Sequence, residues 1–315
     1  MLVASALLAA LAVALAWPVP LALVHARWPD ASPGLALVVW QAIALAGVLS
    51  LLGALLTAGL APFGPHLLAA GAAFAHDTVA GRLPPGTTVP ALFGVSAAVL
   101  LGAHLAGNLA FTAVRAQRQR QRHLDLVLLL STPLPDVPRT RLIDSPAPVA
   151  YCLPGTAKSV TVLSAGLLEL LSPQEVDAVA GHERAHVAQH HNLVLVAFRA
   201  WRIALPWFPV ANRAQDEVGL LVEMLADDQA RRLVPDAVLA RAIEAVARGG
   251  VATGVPGDPD ARTPSADPAS VARRVARLTR PSAPLPGAIR RLVVLGSVAL
   301  VVVPAVLLAL PAVLA

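Results

Sequence analysis

The chain has 315 residues, of which 57% are hydrophobic and only 14% charged, against about a quarter charged in a typical soluble domain. That balance excludes an ordinary water-soluble enzyme and a disordered, solvating chain, and it points to a membrane. The formal charge of +5 invites a nucleic-acid reading, which the placement of the charges opposes. Arg115, Arg118, Arg120 and Arg122 follow one apolar stretch, and Arg290 with Arg291 precede another. Cytoplasmic flanks beside anionic lipid headgroups have this pattern. The lipid bilayer is therefore the expected partner, and no nucleic acid is expected.

Four apolar stretches occur in order, at 2–24, 35–60, 91–114 and 292–314, each long enough to cross a hydrocarbon layer of about 30 Å as a helix. The first is expected to stay as a span and not to be removed as a signal peptide. No Lys or Arg precedes it, and it exceeds a usual signal core of about 7–15 residues. In the third, His104 and Asn108 share a helix face, where an interhelical hydrogen bond is the expected use. The topology that follows has the N-terminus outside, residues 115–287 in the cytoplasm and the C-terminus outside. The single Cys152 forms no internal disulfide and reads as a small buried hydrophobe.

The region 115–287 carries the chemistry. Segments 147–153 and 158–164 read as strands around a Pro154-Gly155 turn. Residues 172–191 then read as an amphipathic helix. Ser172 is its N-cap, Pro173 its first residue, and Glu175 reaches back in the S-x-x-E spacing of a capping box. On it stands His182-Glu183-Arg184-Ala185-His186, the pattern H-E-x-x-H. Four residues advance a helix by about 400°, so both imidazoles leave one face a turn apart and can hold one ion, while Glu183, about 100° away, can reach a water on it.

A catalytic zinc site has three protein ligands and an open position, so a third is needed. His190 continues the i, i+4 series but would lie about 12 Å along the axis from His182 on a regular helix, and it is expected to be dispensable. Residues 193–211 read as a core or interfacial helix, because Arg199 and Arg202 make a centred span costly. Residues 215–232 read as a second helix on which Glu223 and Asp227 share a face. Glu223 is then placed to bind the ion and Asp227 to accept a hydrogen bond from a ligand imidazole. An acidic surface patch balanced by Arg231 and Arg232 is the competing reading. Residues 249–270, rich in Gly, Pro, Asp and Ala, read as a flexible loop. Tyr151 is a weak candidate for an oxyanion donor, against a packed aromatic.

Residues 141–232 resemble the peptidase domain of BlaR/MecR-type membrane metallopeptidases, peptidase family fifty-six, and more distantly the HtpX and CAAX prenyl protease type. The resemblance runs through Ser159-Val-Thr-Val-Leu-Ser164, Gly166-Leu-Leu-Glu-Leu-Leu171, the Ser-Pro-Gln-Glu cap, Gly181-His-Glu-Arg-Ala-His186, Trp207-Phe-Pro209 and Glu223 with Asp227-Asp228. It implies one Zn²⁺ per chain held by His182, His186 and Glu223, with Glu183 as catalytic base. The antibiotic sensors of that type carry a penicillin-binding domain after their last span. This sequence has none there, so β-lactam sensing is not expected.

The expected architecture is mainly α. Residues 1–114 form a membrane domain with three transmembrane helices, 115–287 a zincin-like α+β metallopeptidase domain facing the cytoplasm, and 288–315 the last transmembrane helix. The expected activity is zinc-dependent endoproteolysis of a cytoplasmic or membrane-proximal protein, a regulator or a quality-control substrate, by a zinc-activated water. A catalytically silent peptidase-like scaffold is the alternative. A transporter is disfavoured, because the spans hold no acidic residue.

Overall fold

The computed structural model describes residues 1–134, 137, 139–153, 159–206, 209–249, 267–280, 283 and 285–313. The expected Pro154-Gly155 turn, Trp207, Phe208 and nearly all of the 249–270 loop lie outside them. The described helices are α1 (Leu2–Ala16), α2 (Pro18–Val24), α3 (Trp28–Ala31), α4 (Pro33–Leu60), α5 (Leu67–Val79), α6 (Val89–Leu130), α7 (Ala165–Leu170), α8 (Pro173–Ala188), α9 (His191–Ala204), α10 (Pro209–Ala230), α11 (Asp236–Arg248), α12 (Pro268–Thr279) and α13 (Gly287–Val313). The strands are β1 (Thr132–Pro133), β2 (Thr140–Ile143), β3 (Ala150–Leu153) and β4 (Val160–Ser164). The chain is thus mainly α with one small sheet.

One compact unit comprises Met1–Ala26, Leu35–Asn108 and Pro286–Ala315. Among the described residues, four helical stretches are long and apolar enough to cross a membrane: Leu2–Val24, Pro33–Phe63, Val89–Leu130 and Gly287–Ala309. Within this unit α4 and α6 meet at glycines. A Cβ on Gly59 would come within 2.6 Å of the Val95 nitrogen, and one on Gly94 within 2.9 Å of the Leu55 carbonyl. Such bare backbone contact is how apolar helices associate when lipid offers no hydrophobic contrast. Ser5 adds a hydrogen bond from Oγ to the Ala54 carbonyl at 2.9 Å.

The other unit comprises Arg27–Gly34 and Leu109–Leu285. Its sheet has the order β1-β2-β4-β3, with β2 parallel to β4 and β3 antiparallel to it, Tyr151 opposite Val162. The expected strands thus form and end where expected, β3 beginning at Ala150 and β4 at Val160, and β3 lies at an edge of the described sheet. Ala150, Leu163, Leu167, Val179, Leu239, Ile243 and Leu278 bury together as the core between sheet and helices.

Two helix boundaries differ from the sequence reading. The helix expected over 172–191 ends at Ala188, and His190 takes φ 53°, a left-handed conformation that closes the turn. The single helix expected over 193–211 is two, α9 ending at Ala204 and α10 starting at Pro209. Pro206 withholds an amide hydrogen, and its predecessor Leu205 lies outside the helical region at φ −130°, as a residue before proline prefers.

Candidate metal centre

Helix α8 begins as its cap dictates. The Ser172 amide donates to the Glu175 carboxylate at 2.9 Å and its hydroxyl donates to the same oxygen at 2.8 Å, fixing the phase of the helix from its first turn. The buried face is Ala178, Val179, Gly181, His182 and Ala185. Small residues there admit α10, whose facing side chains include Ala226 and Ala230, both fully buried.

This packing gathers His182, His186 and Glu223, whose nitrogen and oxygen atoms all lie within 4.8 Å of one another. His182 Nε2 and His186 Nε2 face each other at 3.1 Å. Glu223 Oε2 is 3.3 Å from the first and Oε1 is 3.5 Å from the second. Asp227, 1% exposed, accepts the Nδ1–H of His182 at 2.9 Å. That bond leaves Nε2 as the nitrogen turned inward. Glu183 borders the same cavity with His182, Glu223 and Arg274.

Does this group suit a divalent cation? Glu223 Oε2 is buried between Arg274 Nη1 at 2.9 Å and His182 Nε2 at 3.3 Å, which keeps the carboxylate ionised beside the two inward nitrogens. Two inward imidazole nitrogens and one carboxylate form the His₂Glu donor set of a three-ligand zinc site with an open position. The residues fit the ion.

The electrostatics agree. Burial works against the charged form of His182, but hydrogen bonds to Asp227 and Glu223 outweigh it and raise the imidazole to about 10. A proton there sits where a cation would. Burial pushes His186 down to about 3 and His191 to about 4. Glu223 is held at about 2, its burial overcome by Arg274 and the histidines, and Asp227 is likewise held low by Arg274 and His182 against its burial. Burial raises Glu183 to about 7, with His182 and Arg274 opposing and Glu223 adding.

Sequence reasoning missed Arg274. Only 4% exposed, it donates from Nε and Nη2 to the two oxygens of Asp227 at 2.8 and 2.7 Å, and its Nη1 lies 2.9 Å from Glu223 Oε2. Its signal was legible. Val271, Arg274, Val275 and Leu278 form the i, i+3, i+4, i+7 stripe of an apolar helix face, and an arginine on such a stripe is buried with a partner.

The remaining candidates lie outside this group of three. Tyr151, 4% exposed, packs with Val127, Leu153 and Val162, its ring 5.0 Å from that of His123. It is the packed aromatic. His190 is not among the gathered groups, and Cys152 is only partly buried. Arg231 pairs with Asp236 and Asp228, so of the acidic group only Asp228 belongs to the surface patch, while Glu223 and Asp227 are interior.

No solved structure matches the chain. The model of peptidase family M48 matches residues 114–244, a span that holds His182, Glu183, His186, Glu223 and Asp227. This segment is therefore similar to the M48-type metallopeptidases, and the match supports a metal-dependent peptide-bond hydrolase in a chain with four apolar helices fit to cross a membrane.

Proposed function

We propose that the chain is a membrane-embedded zinc endopeptidase acting on a cytoplasmic or membrane-proximal protein, a regulator or a quality-control substrate. One observation carries the reading. Two imidazole nitrogens face each other at 3.1 Å with the Glu223 carboxylate beside them, and Glu183 stands one residue away on the same helix. His182, His186 and Glu223 hold one ion per chain. When bound, zinc supplies Lewis acidity to the scissile carbonyl and acidifies water. Glu183, near 7 by burial, takes the proton of the attacking water and delivers it to the leaving nitrogen. Asp227 orients His182, and Arg274 balances the charge of Glu223 and Asp227. The outer edge of β3, which no strand pairs among the described residues, receives an extended substrate as an added strand. Within the metallopeptidases, the Gly181-His-Glu-Arg-Ala-His186 and Ser-Pro-Gln-Glu motifs resemble the BlaR/MecR type.

The test uses Glu183→Gln and Glu223→Ala. The first is expected to keep zinc and lose cleavage, the second to lose both. Peptides from membrane and cytosolic proteins of cells expressing each form are compared by mass spectrometry, with zinc measured on the purified proteins. Wild-type-specific peptides support the reading. Their persistence with Glu183→Gln would falsify the role of Glu183, and their absence from a zinc-loaded wild type would leave a catalytically silent scaffold.

A further inference from the structure

His191 is 3% exposed and opens α9. Its Nδ1 lies 3.2 Å from His186 Nδ1, and its Nε2 lies 2.9 Å from the Gln189 Oε1. The two rings meet edge to face, 85° apart with centroids 5.0 Å apart. We propose that His191 is a positioning residue for His186, accepting its Nδ1–H and so fixing the tautomer and ring angle that turn the Nε2 lone pair toward His182 and Glu223. The inference rests on the metal-centre reading above and adds a residue to it.

A neutral imidazole has one donor and one acceptor nitrogen, and the hydrogen bond at one decides what the other can do. If His186 Nε2 is to hold a cation, its Nδ1 carries the hydrogen and needs an acceptor. The neighbouring nitrogen is His191 Nδ1, which must then be a lone pair, so that the His191 hydrogen is on Nε2. There it meets a carbonyl oxygen, that of Gln189. The protons run one way, from His186 to His191 to Gln189. Reversing them would put a hydrogen on His186 Nε2, the nitrogen that must hold the ion.

The backbone is arranged for this contact. On an unbroken helix, residue i+5 is about 140° around from residue i, so His191 would not reach His186. The stop at Ala188 and the left-handed His190, with φ 53°, return the chain so that it does. The two imidazoles are thus oriented by different means, His182 by a carboxylate and His186 by a neutral ring that adds no further negative charge.

The experiment compares zinc affinity, by chelator competition, and the visible bands of the cobalt-substituted protein for the full-length wild type, His191→Ala, His191→Asn and Glu223→Ala. His191→Ala is expected to weaken zinc binding by about 10–100-fold and to alter the cobalt bands. Asn, whose Oδ1 takes nearly the place of Nδ1 and can only accept, is expected to restore most of both. Metal-free Ala and Asn variants are expected to unfold at the same temperature. Wild-type affinity and bands in His191→Ala would overturn the proposal, as would a loss that Asn does not rescue. If the wild type binds zinc no better than Glu223→Ala, the metal-centre reading itself fails, and His191 falls with it.

Discussion

Two carboxylates, a guanidinium and two imidazoles share an interior where an isolated charge is costly. Arg274 offsets Glu223 and Asp227 across two ion pairs, and a buried pair that loses one member leaves an uncompensated charge. Arg274→Met is therefore expected to destabilise the metal-free protein by about 3–5 kcal/mol, with added zinc recovering part of the loss. Denaturant unfolding with and without zinc measures it, and an unshifted midpoint would refute the charge balance. His182 yields a prediction about protons. In the metal-free protein it is raised to about 10, while His186 is already neutral and Glu223 ionised at pH 7. The metal-free site therefore holds one proton that the ion must displace, and zinc affinity rises with pH by about tenfold per unit near neutrality. Calorimetry in buffers of different ionisation enthalpy should find about one proton released from His182 per zinc.

At the scale of elements, α8 depends on its first turn and on its end. The capping box sets where the helix starts and hence which residues share its buried face. Ser172→Ala is expected to cost about 0.5–2 kcal/mol in the unfolding midpoint while leaving zinc affinity unchanged, since Ser172 touches none of the gathered groups. An affinity loss without a stability loss would contradict that division. Helix α12 is bound to its neighbours by charge on three successive contacts. Arg273 reaches Glu217 at 3.3 Å, Arg274 reaches Asp227, and Arg277 grips both oxygens of Asp228 at 2.7 and 2.9 Å.

At the scale of the molecule, Arg27–Gly34 belongs to the same compact unit as Leu109–Leu285. Arg273 donates to Asp30 at 2.6 Å, and Arg277 donates to the Asp30 carbonyl at 2.6 Å. Between these two segments lie α4 and α6, each long and apolar enough to cross a membrane. The proposal that the peptidase unit faces the cytoplasm rests on the arginines after the third apolar stretch. In a Cys152→Ser background, Ala269→Cys, at an exposed position, is expected to resist an impermeant thiol reagent in intact cells and to react after permeabilisation. Labelling from outside would invert the topology and change the pool of substrates.

Much of this was determined by the sequence alone, because the features concerned are local. Span length and apolarity mark a helix for lipid whatever its neighbours. The 3.6-residue period puts His182 and His186 on one face, and the Ser172–Glu175 cap acts over a single turn. Glu223 and Asp227 were legible by the same period, though their joining to α8 required a packing that no local pattern encodes. Only the tertiary structure decided the partners that arise through long-range closure. Arg274 meets Asp227 from 47 residues away, across α11 and a segment whose composition says only that it is a loop. His191 comes beside His186 because a histidine takes a left-handed backbone conformation at 190, and that conformation has no residue signature as glycine would provide. Periodicity assigns a side chain to a face, and packing decides what that face meets.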